Sequence, residues 1–135
     1  MFSMNKAIPS ESAESEFLAE KDTLITQISA LMDKIEVSTG ANRAIDRWRL
    51  FRINSSAYPH KFQSEWLNKL AARAHHYSQS VQTDIQKILQ LVDLYNANIT
   101  QNKRIVHNLM FEHIKERHEA LRDTSEDNWI KSFLP

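Results

Sequence analysis

Asn96-Ala97-Asn98-Ile99-Thr100-Gln101-Asn102 is the stretch on which the architecture turns. It lies inside residues 60–123, which contain neither glycine nor proline. From Phe62 through Leu70, Val81, Ile88 and Tyr95 to Val106 and Met110, apolar side chains advance mostly by threes and fours, the period of an amphipathic helix. One unbroken helix over that span would be about 90 Å long at 1.5 Å per residue, and its apolar stripe would need a partner chain to cover it. Asparagine and threonine are poor helix-interior residues, however, and these seven positions cost about 2 to 3 kcal/mol relative to alanine. The favoured expectation is therefore a break between Asn96 and Asn102, with two shorter helices that fold back on each other. A second, weaker break is expected at Tyr77-Ser78-Gln79-Ser80, where Thr83 and Gln86 have capping-box spacing.

Upstream, Phe17, Leu18, Leu24, Ile25, Ile28, Leu31, Met32 and Ile35 fall within one helical arc, which predicts a first helix over residues 12–36. Glu14, Glu16 and Glu20 suit its positive end. It meets Ser38-Thr39-Gly40, and the chain's single glycine is best used as a helix stop. A short helix follows over residues 42–53, closed by Tyr58-Pro59, since the residue before a proline leaves the α region. Thr124-Ser125-Glu126-Asp127 reads as a fresh start, with one or two helical turns over residues 128–134. The expected fold is all-α, an antiparallel bundle of about four helices or an elongated coiled-coil-like pair, plus a short C-terminal helix. Residues 12–135 form one domain behind a disordered tail at 1–11.

Composition narrows the function classes. The 135 residues hold no cysteine, which excludes disulfides and zinc–thiolate sites. One glycine cannot supply a phosphate-binding loop or a serine nucleophile elbow. No pair of the six histidines shares a helical face at ligand spacing, so no metal and no cofactor is expected. His113 lies within an apolar arc and reads as a buried or half-buried side chain hydrogen-bonded to a neighbour. Glu112, Glu116 and Glu119 with Lys115 read as a solvated face. Nothing marks an enzyme. No apolar run approaches bilayer length and no apolar leader opens the chain, so the expected location is the cytoplasm.

The formal net charge is zero but unevenly spread. Residues 1–40 carry three basic and seven acidic side chains, and residues 41–75 carry seven basic and two acidic. Within that basic segment, Arg43, Arg47, Trp48, Arg49, Phe51 and Arg52 crowd ten positions. Arginine and tryptophan combine large contact area with planar, charge-assisted hydrogen bonding, the chemistry of interface hot spots. The bland alternative has Ile45 and Trp48 anchoring a short helix while the arginines pair with the acidic first helix.

Gly40-Ala41-Asn42-Arg43-Ala44-Ile45-Asp46-Arg47-Trp48-Arg49-Leu50-Phe51-Arg52 resembles a short stretch near the start of the Rsd/AlgQ family of bacterial anti-sigma factors. That resemblance implies a helical bundle that binds a sigma subunit. It covers about a tenth of the chain and ends at Ser55, Ser56 and Pro59, where that family continues an apolar helix, so it assigns no family.

The expected function is a non-enzymatic protein-interaction module, an adaptor, chaperone or regulator that engages a protein partner through a helical surface. Arg47, Trp48, Arg49, Phe51 and Arg52 are the leading contact residues, with Trp66, Trp129 and Phe133 beside them. Replacing Arg49 and Arg52 together by alanine is expected to weaken partner binding. Two alternatives stand: a structural, homo-oligomerising coiled coil, and nucleic-acid binding through the basic segment 43–73.

Overall fold

A computed structural model describes the backbone of residues 11–131 and the side chains of residues 11–122. The expected tail at 1–11 and the contact residue Phe133 lie almost wholly outside the described residues, as does the side chain of Trp129. Five α-helices follow one another: α1 (Glu11–Thr39), α2 (Arg43–Asn54), α3 (Glu65–Ala72), α4 (Gln79–Gln101) and α5 (Lys103–Lys131), with a single 3₁₀ turn at Ala74–His76. There is no strand among the described residues. The fold is the expected all-α helical bundle.

Local chemistry sets most boundaries. Gly40 ends α1 at φ 71°, its N–H bonded to the Glu36 carbonyl oxygen at 2.8 Å, a left-handed stop that glycine adopts without a Cβ penalty. Two residues on, the Asn42 side-chain oxygen accepts the Ile45 N–H at 3.1 Å and caps α2. Ser78 caps α4 by accepting from the Val81 N–H at 3.3 Å. The break expected near Tyr77–Ser80 is thus real, with Ser78 as its cap. Thr83 sits inside the helix, where its hydroxyl donates to the Gln79 carbonyl oxygen.

α1 and α4 make the main packing pair. Lys34, late in α1, meets Asp84, early in α4, at 3.1 Å, so the two run antiparallel. Ile28, Met32 and Ile35 from α1 and Ile85, Ile88, Val92 and Tyr95 from α4 are almost fully excluded from solvent. Each such aliphatic side chain contributes roughly 1.5 to 3 kcal/mol when withdrawn from water. α2 closes one side of this pair through Ala44, Ile45 and Trp48, and α3 adds Leu67 and Leu70.

Two expectations need correction. Residues 60–64 are not helical. The linker there is tied instead to α4, where Asn96 accepts the Phe62 N–H and donates to the Phe62 carbonyl oxygen, both at 2.9 Å. The second concerns the C-terminal part. A break does fall at Asn102, whose N–H is shared between the Asn98 and Ile99 carbonyl oxygens at 3.2 and 3.3 Å. The Val106 N–H bonds the Asn102 carbonyl oxygen at 3.0 Å, so the hydrogen-bond ladder resumes at once and the interruption is one residue long. α5 does not pack along α4 as α1 does; the two helices share few contacts. α5 also continues through Thr124–Asp127 to Lys131, so no separate C-terminal helix begins there among the described residues.

Candidate functional site

The basic segment divides in two when α2 takes its helical phase. Ile45 and Trp48 face the core, which fixes where every neighbour points. Trp48 is 1% exposed, its Nε1–H donating to the Ser29 hydroxyl at 3.0 Å and its ring set edge-on to Phe62 at 5.2 Å. Trp48 was expected among the partner-facing residues; the structure makes it a core anchor, since no partner reaches a ring so enclosed. Phe51 is half-buried, with its ring 5.2 Å from Phe62 and 5.7 Å from Tyr95.

Arg49 points to α1. Its guanidinium donates to both Glu36 oxygens at 2.9 Å and to Asp33 at 3.1 Å. These hydrogen bonds, Glu36 first, push the arginine's ionisation up, and the bond from Arg49 holds the Glu36 carboxyl below its ordinary range. Arg52 is exposed. Arg49 therefore fulfils the bland alternative of pairing with the acidic first helix.

Arg43 and Arg47 point elsewhere. With Leu50 and Asn54 they recur at intervals of four, three and four, one stripe along α2. Across from it, Trp66, Lys69 and Arg73 form the facing stripe of α3 and its C-terminus. The chain directions oppose: Arg43 neighbours Lys69 and Arg73, whereas Arg47, Leu50 and Asn54 neighbour Glu65 and Trp66.

Trp66 stands half-buried between the two stripes. Arg43 lies 5.2 Å from the ring centroid, Arg47 5.6 Å and Lys69 4.2 Å. Cations favour an aromatic face, by about 0.5 to 1 kcal/mol each at exposed sites. Three like charges at one ring also repel one another. Glu65 meets Lys69 at 3.5 Å, but neither Arg43 nor Arg47 has a carboxylate within ion-pair distance among the described residues.

A hollow opens on each side of Trp66. The larger, about 620 Å³, is floored by Phe51 and Phe62 and edged by Leu50, His60, Lys61 and Arg47. The smaller, about 390 Å³, lies among Arg43, Lys69, Ala72 and Arg73. The groove thus carries large apolar side chains, with Arg47 and Lys61 beside them, at the α2 C-terminal end, and Arg43, Lys69 and Arg73 among small alanines at the other.

Trp66 is central here, although the sequence ranks it second. Arg43 and Arg73 carry no individual assignment in the sequence; the four–three–four spacing from Arg43 to Asn54 is the signal that finds the first of them.

A separate surface lies on α5. Ile105 is buried and Val106 and Leu109 pack on the core, but Phe111, Ile114 and Leu121 are 66%, 53% and 58% exposed. His113 is half-buried, its ring 5.7 Å from that of Tyr58. Glu112, Glu116 and Glu119 are exposed, as a solvated face requires.

Among the described residues no helix is long and apolar enough to cross a membrane. No family model, no curated protein and no solved structure matches the chain.

Proposed function

We propose that this protein is a non-enzymatic interaction module that binds a protein partner in the groove between α2 and α3. The observation that carries this reading is Trp66: a half-buried indole approached by Arg43, Arg47 and Lys69, with a hollow on either side. Aromatic rings held by a rigid scaffold, with arginines close by, supply contact area at small entropic cost. Arg43 and Arg47, without carboxylate partners among the described residues, supply the electrostatic half of recognition. The groove is built on helices whose opposite faces are locked into the core, so it is preformed. A bundle of this kind serves as adaptor, chaperone or regulator without chemistry of its own.

The test is affinity purification from the native host with the wild-type chain and with the Arg43→Ala/Arg47→Ala double variant in parallel. A protein recovered with the wild type and lost with the variant supports the reading. Identical recoveries from both, with the variant folded by circular dichroism, remove the groove as the partner site.

A second reading has its own observation. The exposed Phe111, Ile114 and Leu121 on the part of α5 that leaves the bundle suit self-association with another copy. Light scattering on the full chain decides it: a monomer at all concentrations discards this reading.

A further inference from the structure

We infer that the occupant of the α2–α3 groove is an extended acidic segment of the partner carrying one large apolar side chain. The apolar side chain enters the hollow over Phe51 and Phe62, and the carboxylates lie at the end formed by Arg43, Lys69 and Arg73, with Arg47 reaching them from the far side of Trp66. This deepens the reading given above and rests on the groove being the partner site.

Three observations converge. First, Arg43 and Arg47 lie against one indole with no carboxylate within reach among the described residues, and Lys69 joins them from the other helix. An incoming carboxylate relieves the repulsion among these cations, whereas a basic or neutral segment does not. Second, the two ends of the groove are lined differently, although Arg47 and Lys61 bring cations to the aromatic end as well. Leu50, Phe51 and Phe62 crowd one end, and Arg43 and Arg73 occupy the other. A uniform polyanion leaves Leu50, Phe51 and Phe62 without an apolar partner, and a purely apolar segment leaves Arg43 and Arg73 without an anionic one. Third, Trp66 lines both hollows and divides them. A helix laid in the groove would meet that ring as a ridge. An extended chain straddles it, since its side chains leave on alternate sides.

The spacing follows from the scaffold. Leu50 and Arg43 are seven residues apart on α2, about 10 Å at 1.5 Å per residue. An extended segment covers that distance in about three residues. The acidic block therefore begins about three positions from the apolar anchor.

Fluorescence anisotropy of labelled synthetic peptides with the full chain tests this. The lead probe carries one phenylalanine and a block of three glutamates beginning three positions away, made in both chain orders. Controls replace phenylalanine by alanine, replace the glutamates by glutamine, or move the block eight positions away. A fluorescent single-stranded oligothymidylate serves as a polyanion without an anchor. One chain order is expected to bind. Each control peptide should bind at least tenfold more weakly, and Trp66→Ala and Arg43→Ala/Arg47→Ala should each weaken the lead probe about tenfold. Equal binding of the phenylalanine and alanine peptides overturns the anchor. An oligothymidylate that binds more tightly than the lead peptide overturns the protein segment in favour of nucleic acid. No binding by any peptide overturns the inference outright. If the native partner is nevertheless lost with the Arg43/Arg47 variant, the groove stands and only its occupant was wrong.

Discussion

The Tyr95 hydroxyl donates to the His60 carbonyl oxygen at 2.6 Å, so a core residue of α4 holds the linker that forms one end of the groove. Asn96, the next residue, grips Phe62 two positions further along that linker. The α2–α3 connection is therefore fixed from outside itself, and the hollow beside Trp66 inherits its shape from α4.

Tyr95→Phe keeps the ring and removes the bond, at a cost of about 1 kcal/mol in urea unfolding at neutral pH. The same substitution tests an alkaline effect. Burial pushes the Tyr95 phenol up from its ordinary value of 10.0, because the phenolate is disfavoured away from water. A raised value means that this contribution to stability is complete below the ordinary tyrosine range. It is lost as pH climbs beyond that range, where the unfolded chain ionises first. The wild type should lose more stability above pH 10 than Tyr95→Phe does.

Asn96→Ala leaves the Phe62 N–H and carbonyl without their α4 partner. The expected loss is about 2 kcal/mol, the upper part of the range for a satisfied polar pair left unmet. Amide hydrogen exchange at Phe62 should accelerate by more than the global loss of stability explains. Unchanged protection at Phe62 would mean that the linker is held by its ring packing alone.

Asn96 also shows where the sequence is legible and where it is not. Periodicity finds the helices because burial of Ile28, Ile85, Val92 and their neighbours follows directly from spacing. Gly40 is legible because its role is local. Asn96 looks like a helix breaker and is in fact a helix-interior residue, since its low propensity is offset by two bonds to a residue 34 positions away. No window of sequence contains both partners. The same holds in the basic segment. Four arginines within ten residues look equivalent, yet helical phase sends Arg49 to the acidic α1 and Arg43 and Arg47 to Trp66. The phase is readable once Ile45 and Trp48 are taken as buried. The arrival of Trp66 and Lys69 opposite them depends on the non-helical linker, which Asn96 holds.

The Arg49–Glu36 contact predicts an acid effect. The bond from Arg49 lowers the Glu36 carboxyl below its usual 4.5, so its contribution is complete above that value and is lost as pH falls through the lowered one. Both groups are solvent-exposed, so the contribution is small and weakened by salt. Arg49→Ala should flatten the fall in melting temperature on acidification below pH 4.5 relative to the wild type. It should leave binding of the acidic peptide in the groove unchanged, because Arg49 points to α1. A variant that loses peptide binding while its fold is intact would place Arg49 at the interface after all.

The two described tryptophan side chains separate stability from recognition. Trp48 is enclosed by Phe51, Phe62 and Ser29, so Trp48→Ala opens a cavity and strands the Ser29 hydroxyl. Such losses are about 3 to 5 kcal/mol, a large share of a small domain's stability. Trp66 is half-exposed and its nearest polar neighbours are cations that reach water without it. Trp66→Ala should cost about 1 kcal/mol, within the range of ordinary single substitutions. Urea unfolding of the two variants followed by circular dichroism gives both numbers, and peptide anisotropy on the folded Trp66→Ala protein gives the binding loss. Comparable destabilisation by both substitutions would make Trp66 a packing residue, and the cations around it would then be satisfying a ring rather than presenting one.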